Sequence, residues 1–235
     1  MLKKWNDLPD YMRTPEVKPY YDVLKKKKFS LLCKRFFDFC VASFMVFVLF
    51  PVMLVIAALI KLDSKGPVFY RQERVTTYGK HFRIHKFRTM VSNADQIGSA
   101  VTVGQDRRIT RMGQHLRDLR LDELPQLFDV LQGTMSFVGT RPEVVKYVER
   151  YKPMYYATLL LPAGITSEAS IRYKDEADLL ESAQDVDKVY VEQVLPGKMK
   201  WNLNSIERFS FPREILTMFR TVFAVLGKNL LFEVK

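Results

Sequence analysis

"FCVASFMVFVLFPVMLVIAALI", residues 39–60, is a run of 22 residues without a charged side chain. As one continuous α-helix it would extend about 33 Å, which is enough to cross the hydrocarbon core of a bilayer. A core helix of a soluble protein normally carries a polar stripe, which this run lacks. A signal peptide would lie nearer the N-terminus and would end at a small-residue cleavage site. The run therefore predicts a membrane-embedded helix.

This helix either spans the bilayer or enters it and returns on the same side. Pro51, near its middle, removes one backbone donor and leaves the Phe47 carbonyl without its usual partner. A proline kink is also tolerated in a spanning helix, so the run itself leaves both paths open. Basic residues stand on both flanks, and the preference of Lys and Arg for the cytoplasmic side therefore marks neither end as external. These residues are Lys25, Lys26, Lys27, Lys28, Lys34 and Arg35 before the run, and Lys61, Lys65, Arg71 and Arg74 after it.

The chain of 235 residues has a net charge of +11, from 37 Lys and Arg against 26 Asp and Glu. A charge this positive indicates an anionic partner: nucleic acid, anionic lipid or a phosphorylated substrate. On one helix the two cysteines, Cys33 and Cys40, would lie about 10 Å apart by rise alone, too far for a disulfide. Without a disulfide framework or a Cys/His zinc spacing, a reducing compartment is expected.

The remaining sequence predicts an α+β fold that is mostly helical. The stretches VFYRQERV (68–75) and KHFRIHKF (80–87), joined by TTYG, predict a small β-hairpin. RMGQHLRDLR (111–120) and PEVVKYVERY (142–151) predict helices, and the acidic stretch 174–187 predicts a solvated helix and its connection. We expect three segments: an N-terminal basic arm (1–33), the membrane helix (34–63) and a cytosolic, membrane-associated domain (64–235).

The segment 211–232 places apolar residues at helical spacing with basic residues among them. Such a helix lies in the membrane interface or packs in an ordinary core, and the pattern fits both. The apolar residues are Phe211, Ile215, Phe219, Val222, Phe223 and Leu226, and the basic ones are Arg213, Arg220 and Lys228.

"RLDELPQLFDVLQGTMSFVGTRP", residues 120–142, places two carboxylates side by side in a basic chain. Asp122 suits a helix N-cap and Pro125 the first turn, so the pair would be structural if Asp122 only caps a helix. The apolar face of that helix would be formed by Leu124, Leu127, Phe128 and Leu131.

A functional interpretation comes from the surroundings of the pair. Arginines crowd this region, namely Arg107, Arg108, Arg111, Arg117, Arg120 and Arg141. A helix N-terminus also binds phosphate, and carboxylates together with substrate phosphate are the ligands that Mg²⁺ prefers. An ionised Asp beside such a metal can attack phosphorus.

Three other classes explain fewer of these features. A glycosidase places its two carboxylates across the scissile bond, which adjacent residues on one helix start do not readily do. A membrane-tethered nucleic-acid-binding protein would use the charge and the aromatics of HFRIHKF, but the sequence has no helix-turn-helix, zinc-finger or RNP-like motif. A structural membrane scaffold leaves the carboxylates and arginines unexplained.

Several motifs together resemble the monotopic bacterial phosphoglycosyl transferases, also called the bacterial sugar transferase family. They are the apolar run with its central proline, GPVFYRQERV, GKHFRIHKFRTM, ITRMGQHLRDLRLDELPQLFDVLQGTMSFVGTRP and PAGIT. The resemblance extends over residues 34–226. It implies transfer of a sugar 1-phosphate from a UDP-sugar to polyprenol (undecaprenyl) phosphate, with release of UMP, as the first step of glycan assembly.

The resemblance also implies residue roles. Asp122 becomes the nucleophile that forms a phosphosugar-enzyme intermediate, and Glu123, with Asp122, holds Mg²⁺. The contacts to phosphate or polyprenol phosphate are carried over to Lys86, Arg88, Arg117, Arg141 and Pro142. The family's membrane segment is a re-entrant helix-break-helix with the break at Pro51. A monotopic protein on the cytoplasmic face of the inner membrane is implied, with membrane lipids as partners, no nucleic acid, and a homo-oligomer left open.

Three positions depart from the family pattern. Thr140 replaces the first proline of a GPRP motif, and Phe50 precedes Pro51 where the family usually has serine. SFPREIL near the C-terminus aligns Glu214 with a family acid, but the altered motif puts an active-site role for Glu214 in doubt. The sugar is not specified by any of these motifs, and we expect its determinants in residues 92–108 and 165–190.

Overall fold

The computed structural model describes residues 2–94, 106–173 and 185–225. Most of the loop 92–108 and most of the acidic stretch 174–187 lie outside the described residues, so the predictions made for them are not addressed. Within the described ranges the chain is mostly helical with a few short strands, which confirms the expected α+β class at that level.

The helices are α1 (Lys18–Lys26), α2 (Lys28–Asp63), α3 (Arg111–Asp118), α4 (Gln126–Gln132), α5 (Val145–Val148), α6 (Glu168–Arg172), α7 (Val186–Val189), α8 (Leu195–Glu207) and α9 (Phe211–Val225). The strands are β1 (Phe69–Tyr70), β2 (Glu73–Val75), β3 (His81–Arg83), β4 (Lys86–Phe87), β5 (Met135–Val138) and β6 (Ala163–Thr166). Short 3-10 turns at Leu121–Glu123 and Pro153–Leu160 and a π-turn at Tyr190–Val194 connect some of them.

Helix α2 has 36 residues and is the one described helix long and apolar enough to cross a membrane. It begins at Lys28 rather than at residue 34, and helical structure continues through Pro51, where the resemblance implied a break. A proline removes a single helical hydrogen bond, and the turns on both sides of it are packed against the rest of the protein. Ala42 before Pro51 and Met53 after it are both buried.

One face of α2 lies against the domain over most of its length. Ala42 packs with Leu127 and Val130 of α4, and Ile60 packs with Phe87 and Leu116. The opposite face exposes large apolar side chains, with Phe36 71% and Phe47 82% accessible. This arrangement gives α2 one protein-facing side and one side suited to lipid.

Both ends of α2 are bonded to the same domain. Near its N-terminal end, Asp38 accepts a hydrogen bond from the Ser136 hydroxyl of β5 at 2.6 Å. At its C-terminal end, Asp63 accepts one from the Met112 N–H of α3 at 3.1 Å. Polar contacts of α2 with the same domain therefore occur towards both of its ends.

The predicted hairpin is confirmed. Glu73 pairs with Arg83 and Val75 with His81 in β2 and β3, and Phe69 pairs with Phe87 in β1 and β4. The two antiparallel pairs share one register and are separated by a short interruption, so they form a single long hairpin. Lys86 lies on β4, the second strand of this hairpin, and its side chain reaches Glu123.

A parallel pair, β5 and β6, was not predicted from the sequence. Met135 pairs with Ala163 and Val138 with Thr166. Beyond β5 the backbones of Gly139 and Gly164 approach so closely that a Cβ on Gly164 would lie 2.2 Å from the Gly139 nitrogen. Only glycine fits there, and this contact fixes the path of the chain into Thr140 and Arg141.

The N-terminal residues pack against the rest of the domain. Met12, Val17 and Leu24 are fully buried in a core cluster that also contains Met199 and Leu203 of α8. Pro9 precedes the second of two short 3-10 turns, and Pro19 lies in the first turn of α1. The basic run 25–28 then leads directly into α2.

Helix α3 confirms the prediction for 111–120, whereas the helix predicted over 142–151 has only the four residues of α5. In α9 the predicted apolar stripe is largely exposed, with Phe219 60% and Val222 55% accessible. Ordinary core packing therefore does not account for it, and this face suits a membrane interface.

Candidate active site

The two adjacent carboxylates lie in a 3-10 turn, Leu121–Glu123, between α3 and α4. Arg120 precedes it in the left-handed region with φ 56°, and α4 begins only at Gln126, after Pro125. The prediction that Asp122 is the N-cap of the helix is therefore wrong, because the chain forms a separate tight turn before the proline starts α4. The turn presents both carboxylates in front of the hairpin strand β4.

Glu123 is held by two cations. Its Oε1 accepts from Lys86 Nζ at 2.8 Å and from Arg141 Nη2 at 2.5 Å, and its Oε2 lies 3.3 Å from Arg141 Nη1. Burial by itself would raise the pKa of Glu123, but Arg141 and Lys86 together hold it well below its usual value. Glu123 is thus ionised throughout the neutral range, and it fixes the positions of both cations.

Asp122 is 9% exposed and has a different environment. Burial raises its pKa, Lys86 opposes that rise and Glu123 adds to it. Among the described residues, no side chain forms an ion pair or hydrogen bond with its carboxylate. Asp122 therefore keeps its oxygens available, with cations close enough to support the ionised form.

Arg117 reaches the same region from α3. Its Nε donates to the Thr89 hydroxyl at 3.0 Å. Burial lowers the pKa of this guanidinium and the nearby Asp122 carboxylate counteracts that effect. The structure therefore brings together Lys86, Arg117, Asp122, Glu123 and Arg141, all from the predicted set.

Arg88 is not brought to this cluster. Its Nη1 donates to the Lys65 carbonyl at 2.6 Å and its Nη2 to the Ser64 carbonyl at 2.8 Å. Arg88 follows Phe87, the last residue of β4, and its backbone N–H donates to the Val68 carbonyl at 2.8 Å. Arg88 holds the segment that leaves α2, and among the described residues it has no hydrogen bond or ion pair with a member of this cluster.

Pro142 is buried and positions its neighbour Arg141. Its carbonyl accepts from Arg74 Nη1 at 3.1 Å, and the next residue, Glu143, accepts from the Tyr190 hydroxyl at 2.6 Å. Arg74 thus holds the backbone at Pro142, and Tyr190 holds the side chain of the residue that follows. Sequence reasoning counted Arg74 only as a flanking positive charge and missed Tyr190, because neither lies in the motif that they support.

The carboxylates of Asp122 and Glu123 are possible ligands for Mg²⁺. This ion is usually bound through one or two carboxylates together with substrate phosphate. The open oxygens of Asp122 and the weakly engaged Oε2 of Glu123 are suitable ligands, so the residues fit. Glu123 is the less available of the two, since its Oε1 already accepts from two cations. No larger group of His, Cys, Asp and Glu side chains gathers elsewhere in the described residues.

Comparison with known proteins identifies the family. Residues 29–228 match the description "Bacterial sugar transferase". The chain belongs to the bacterial sugar transferase family.

Two bacterial sugar transferases resemble most of the chain. The UDP-N-acetylgalactosamine-undecaprenyl-phosphate N-acetylgalactosaminephosphotransferase of Aeromonas hydrophila is 35% identical over 82% of this chain and 43% of its own length. The UDP-glucose:undecaprenyl-phosphate glucose-1-phosphate transferase of Klebsiella pneumoniae is 35% identical over 83% of this chain and 40% of its own length. The chain spans less than half the length of these two relatives.

In a third relative, the match covers most of the relative's own length. The exopolysaccharide production protein PSS of Rhizobium leguminosarum bv. phaseoli is 40% identical over 61% of this chain and 75% of its own length. The relatives' names refer to two different sugars, so membership of the family does not specify the sugar for this chain.

Glu214, aligned with a family acid, lies away from the carboxylate pair. It forms an ion pair with Lys34 of α2, and Lys34 Nζ also donates to the Val138 carbonyl at 2.7 Å. Burial raises the pKa of Glu214 and Lys34 opposes this. These contacts join α9, α2 and β5, and they involve neither Asp122 nor Glu123.

Proposed function

We propose that this protein is a phosphoglycosyl transferase that moves a sugar 1-phosphate from a UDP-sugar to polyprenol phosphate. The observation that carries the proposal is the contrast between the adjacent carboxylates: Glu123 is engaged by Lys86 and Arg141, whereas Asp122 is not engaged in the described structure. An unengaged carboxylate beside anchored cations is suited to attack a phosphate whose charge those cations offset. Membership of the family supports the same reaction class.

In the first step, a carboxylate oxygen of Asp122 attacks the phosphorus that bears the sugar. A bond forms between that oxygen and phosphorus, and the bond from phosphorus to the bridging oxygen breaks. UMP leaves with the bridging oxygen and its electron pair. Lys86, Arg117 and Arg141 stabilise the charge that develops on the phosphoryl oxygens and on the leaving phosphate.

In the second step, a phosphate oxygen of polyprenol phosphate attacks the phosphorus of the Asp122 adduct. The new bond completes the diphosphate of the lipid-linked product, and the Asp122–phosphorus bond breaks to restore the carboxylate. The same cations serve both steps, because the departing and the arriving group are both phosphates.

Mg²⁺ is part of the proposal, with Asp122 and Glu123 Oε2 as its protein ligands. When bound, it supplies positive charge that neutralises the diphosphate of the donor. Glu123 in addition keeps Lys86 and Arg141 oriented towards the substrate.

The proposed location is the cytoplasmic face of the membrane, with α2 entering one leaflet and not crossing. Its two ends are bonded to one domain through Asp38 and Asp63. Its exposed side and that of α9 are apolar. A monotopic, re-entrant path satisfies all of these contacts, whereas a spanning path breaks those at one end.

The test is Asp122→Asn, assayed with undecaprenyl phosphate and a panel of UDP-sugars by release of UMP. We expect turnover to fall by roughly 10³-fold or more, because an amide is a far poorer nucleophile. Wild-type protein should form a covalent adduct with a donor labelled in its sugar when acceptor is omitted, and the variant should form none.

Asp118→Asn is the matched control, since it makes the same chemical change at an exposed position in α3. It should retain nearly full turnover. Substantial turnover by a folded Asp122→Asn variant would rule out covalent catalysis by Asp122. If no UDP-sugar in the panel releases UMP, the proposed reaction is wrong.

A further inference from the structure

A second cleft, separate from the carboxylate pair, has a cavity volume of about 190 Å³. Its walls come from the chain after β5, from α6, from the end of α8 and from the start of α9. Thr140 forms part of one wall, but Lys86, Arg117, Asp122 and Glu123 do not line the cleft. The cavity therefore lies outside the cluster to which the reaction is assigned.

The cleft is strongly cationic. Four arginines and two glutamates line it, and Arg220 is paired with Glu168 while Glu214 is paired with Lys34. The other three arginines are Arg172, Arg208 and Arg213. None of these three has a carboxylate partner in the described part of the chain, so the cleft carries a net positive charge.

The part of the cleft formed by α6 and α8 supplies a rigid surface for a polar ligand. Arg172 stacks on the Trp201 ring with 3.7 Å from its guanidinium carbon to the ring centroid. This contact orients the arginine while leaving its N–H groups available to an anion. Arg213 is oriented as well, because its Nη1 donates to the Arg208 carbonyl at 3.0 Å. Two of the three unpaired cations are thus held in place before a ligand arrives.

The cleft also borders the surface suited to lipid. Leu216 of α9 lines the cavity and is 46% exposed, and Phe219, on the next turn of the same helix, is 60% exposed. Cationic side chains and an exposed apolar helix face therefore adjoin at its edge. An occupant that satisfies both has an anionic head and a hydrocarbon tail that leaves along α9.

We propose that this cleft binds the phosphate headgroup of an anionic membrane phospholipid. Arg172 of α6 and Arg213 of α9 donate to the phosphate oxygens, and Arg208, which is exposed, adds positive charge. The acyl chains lie against Leu216 and Phe219 in the membrane leaflet. The proposal rests on the cleft and on membrane association, and it does not require the proposed reaction.

The experiment uses the full chain in a nonionic detergent with Trp5→Phe, which leaves Trp201 as the only tryptophan. Trp201 fluorescence is followed during titration with dioctanoyl phosphatidylglycerol. We expect a saturable change that dioctanoyl phosphatidylcholine, which has no net charge, does not produce. Arg172→Gln and Arg213→Gln should each weaken binding about tenfold, the effect of losing one charge-assisted hydrogen bond.

Arg150→Gln is the matched control, because it removes the same charge from an exposed position that does not line the cleft. It should bind as the parent does. Equal responses to the two lipids, or equal losses in Arg150→Gln and Arg172→Gln, would overturn the proposal. Saturation by inorganic phosphate at similar concentrations would overturn the lipid assignment, as would displacement by undecaprenyl phosphate at far lower concentration than phosphatidylglycerol.

Discussion

At the scale of single residues, Asp122 and Glu123 are neighbours with opposite pKa shifts. Burial raises the pKa of Asp122, whereas Arg141 and Lys86 overcome the effect of burial on Glu123 and lower its pKa. The two adjacent carboxylates therefore have different environments. Glu123 binds two cations, and Asp122 is the one to which the proposed mechanism assigns the attack on phosphorus.

The raised pKa of Asp122 predicts an acid limit to activity. In the proposed mechanism Asp122 must be ionised to attack, so kcat/KM should fall as the pH drops through its pKa, which lies above the ordinary value of 3.8. Lys86 lowers this pKa, and Lys86→Gln should therefore move the acid limb to higher pH. The pH profile of UMP release measures the shift, and Lys80→Gln, an exposed position in the hairpin, should leave the limb in place. An acid limb that Lys86→Gln does not move would contradict this assignment.

The sequence indicated most of the residues that cluster around the carboxylate pair, but it did not indicate the contacts that hold them in place. Lys86, Arg117 and Arg141 were identified because their motifs are contiguous stretches. Arg88 was carried over from the resemblance with them, but its guanidinium bonds to the carbonyls of Ser64 and Lys65 instead. The supports Arg74 and Tyr190 come from distant parts of the chain, and a local pattern carries no signal for such contacts.

At the scale of elements, α2 is held at both ends by polar contacts that a membrane helix rarely carries. Lys34 and Asp38 are buried on its protein-facing side. Removing such groups from water is unfavourable unless they have partners, and Glu214, Val138 and Ser136 provide them. The position of α2 thus depends on the domain as much as on its apolar composition.

This attachment predicts that both ends of α2 stay on one side of the membrane. In a background with Cys33 and Cys40 replaced by serine, Lys28→Cys and Lys65→Cys should both react with an impermeant maleimide from the cytoplasmic side. Neither should react from the outside, because Asp38 and Asp63 bind the same domain. Labelling of the two positions from opposite sides would show that α2 spans the bilayer.

Secondary-structure elements that form from a local sequence pattern were predictable. Elements that form only by pairing with a distant segment were not. The hairpin follows from alternation around TTYG, and α3 from its own periodicity. The β5–β6 pair joins segments that are far apart in sequence, and its four-residue strands carry no periodic signal. The sequence predicted that a helix starts at Asp122, whereas the structure has a 3-10 turn there and α4 starts after Pro125. A proline fits either the first turn of a helix or the position just before it, so Pro125 did not distinguish the two.

At the scale of the whole molecule, the N-terminal residues complete the largest of the core clusters that the described residues form. Leu24 of α1 is fully buried beside residues of α8, and the backbone N–H of Lys3 donates to the Tyr78 hydroxyl at the hairpin turn. The predicted basic arm is therefore a structural part of the domain. The segment boundary expected at residue 33 was based on the charge pattern. In the structure, residues before this boundary pack in one cluster with residues of α8.

The core position of Leu24 predicts a large effect on stability. Leu24→Ala should lower the free energy of unfolding by about 2–5 kcal/mol, because it leaves a cavity in a packed cluster. Leu119→Ala, at a position that is 65% exposed, should change it by less than about 0.5 kcal/mol. Urea unfolding followed by circular dichroism compares the two, and similar losses would show that the N-terminal segment is not part of the cooperative core.

The apolar faces of α2 and α9 have a mechanical consequence in the proposed one-leaflet arrangement. Phe36, Phe47 and Phe219 then displace lipid from the cytoplasmic leaflet and leave the opposite leaflet untouched. Extra area in one leaflet alone favours bending of the membrane towards that side. The protein therefore enters more easily where the cytoplasmic leaflet is already convex and loosely packed, and local membrane shape helps to decide where in the cell the enzyme collects.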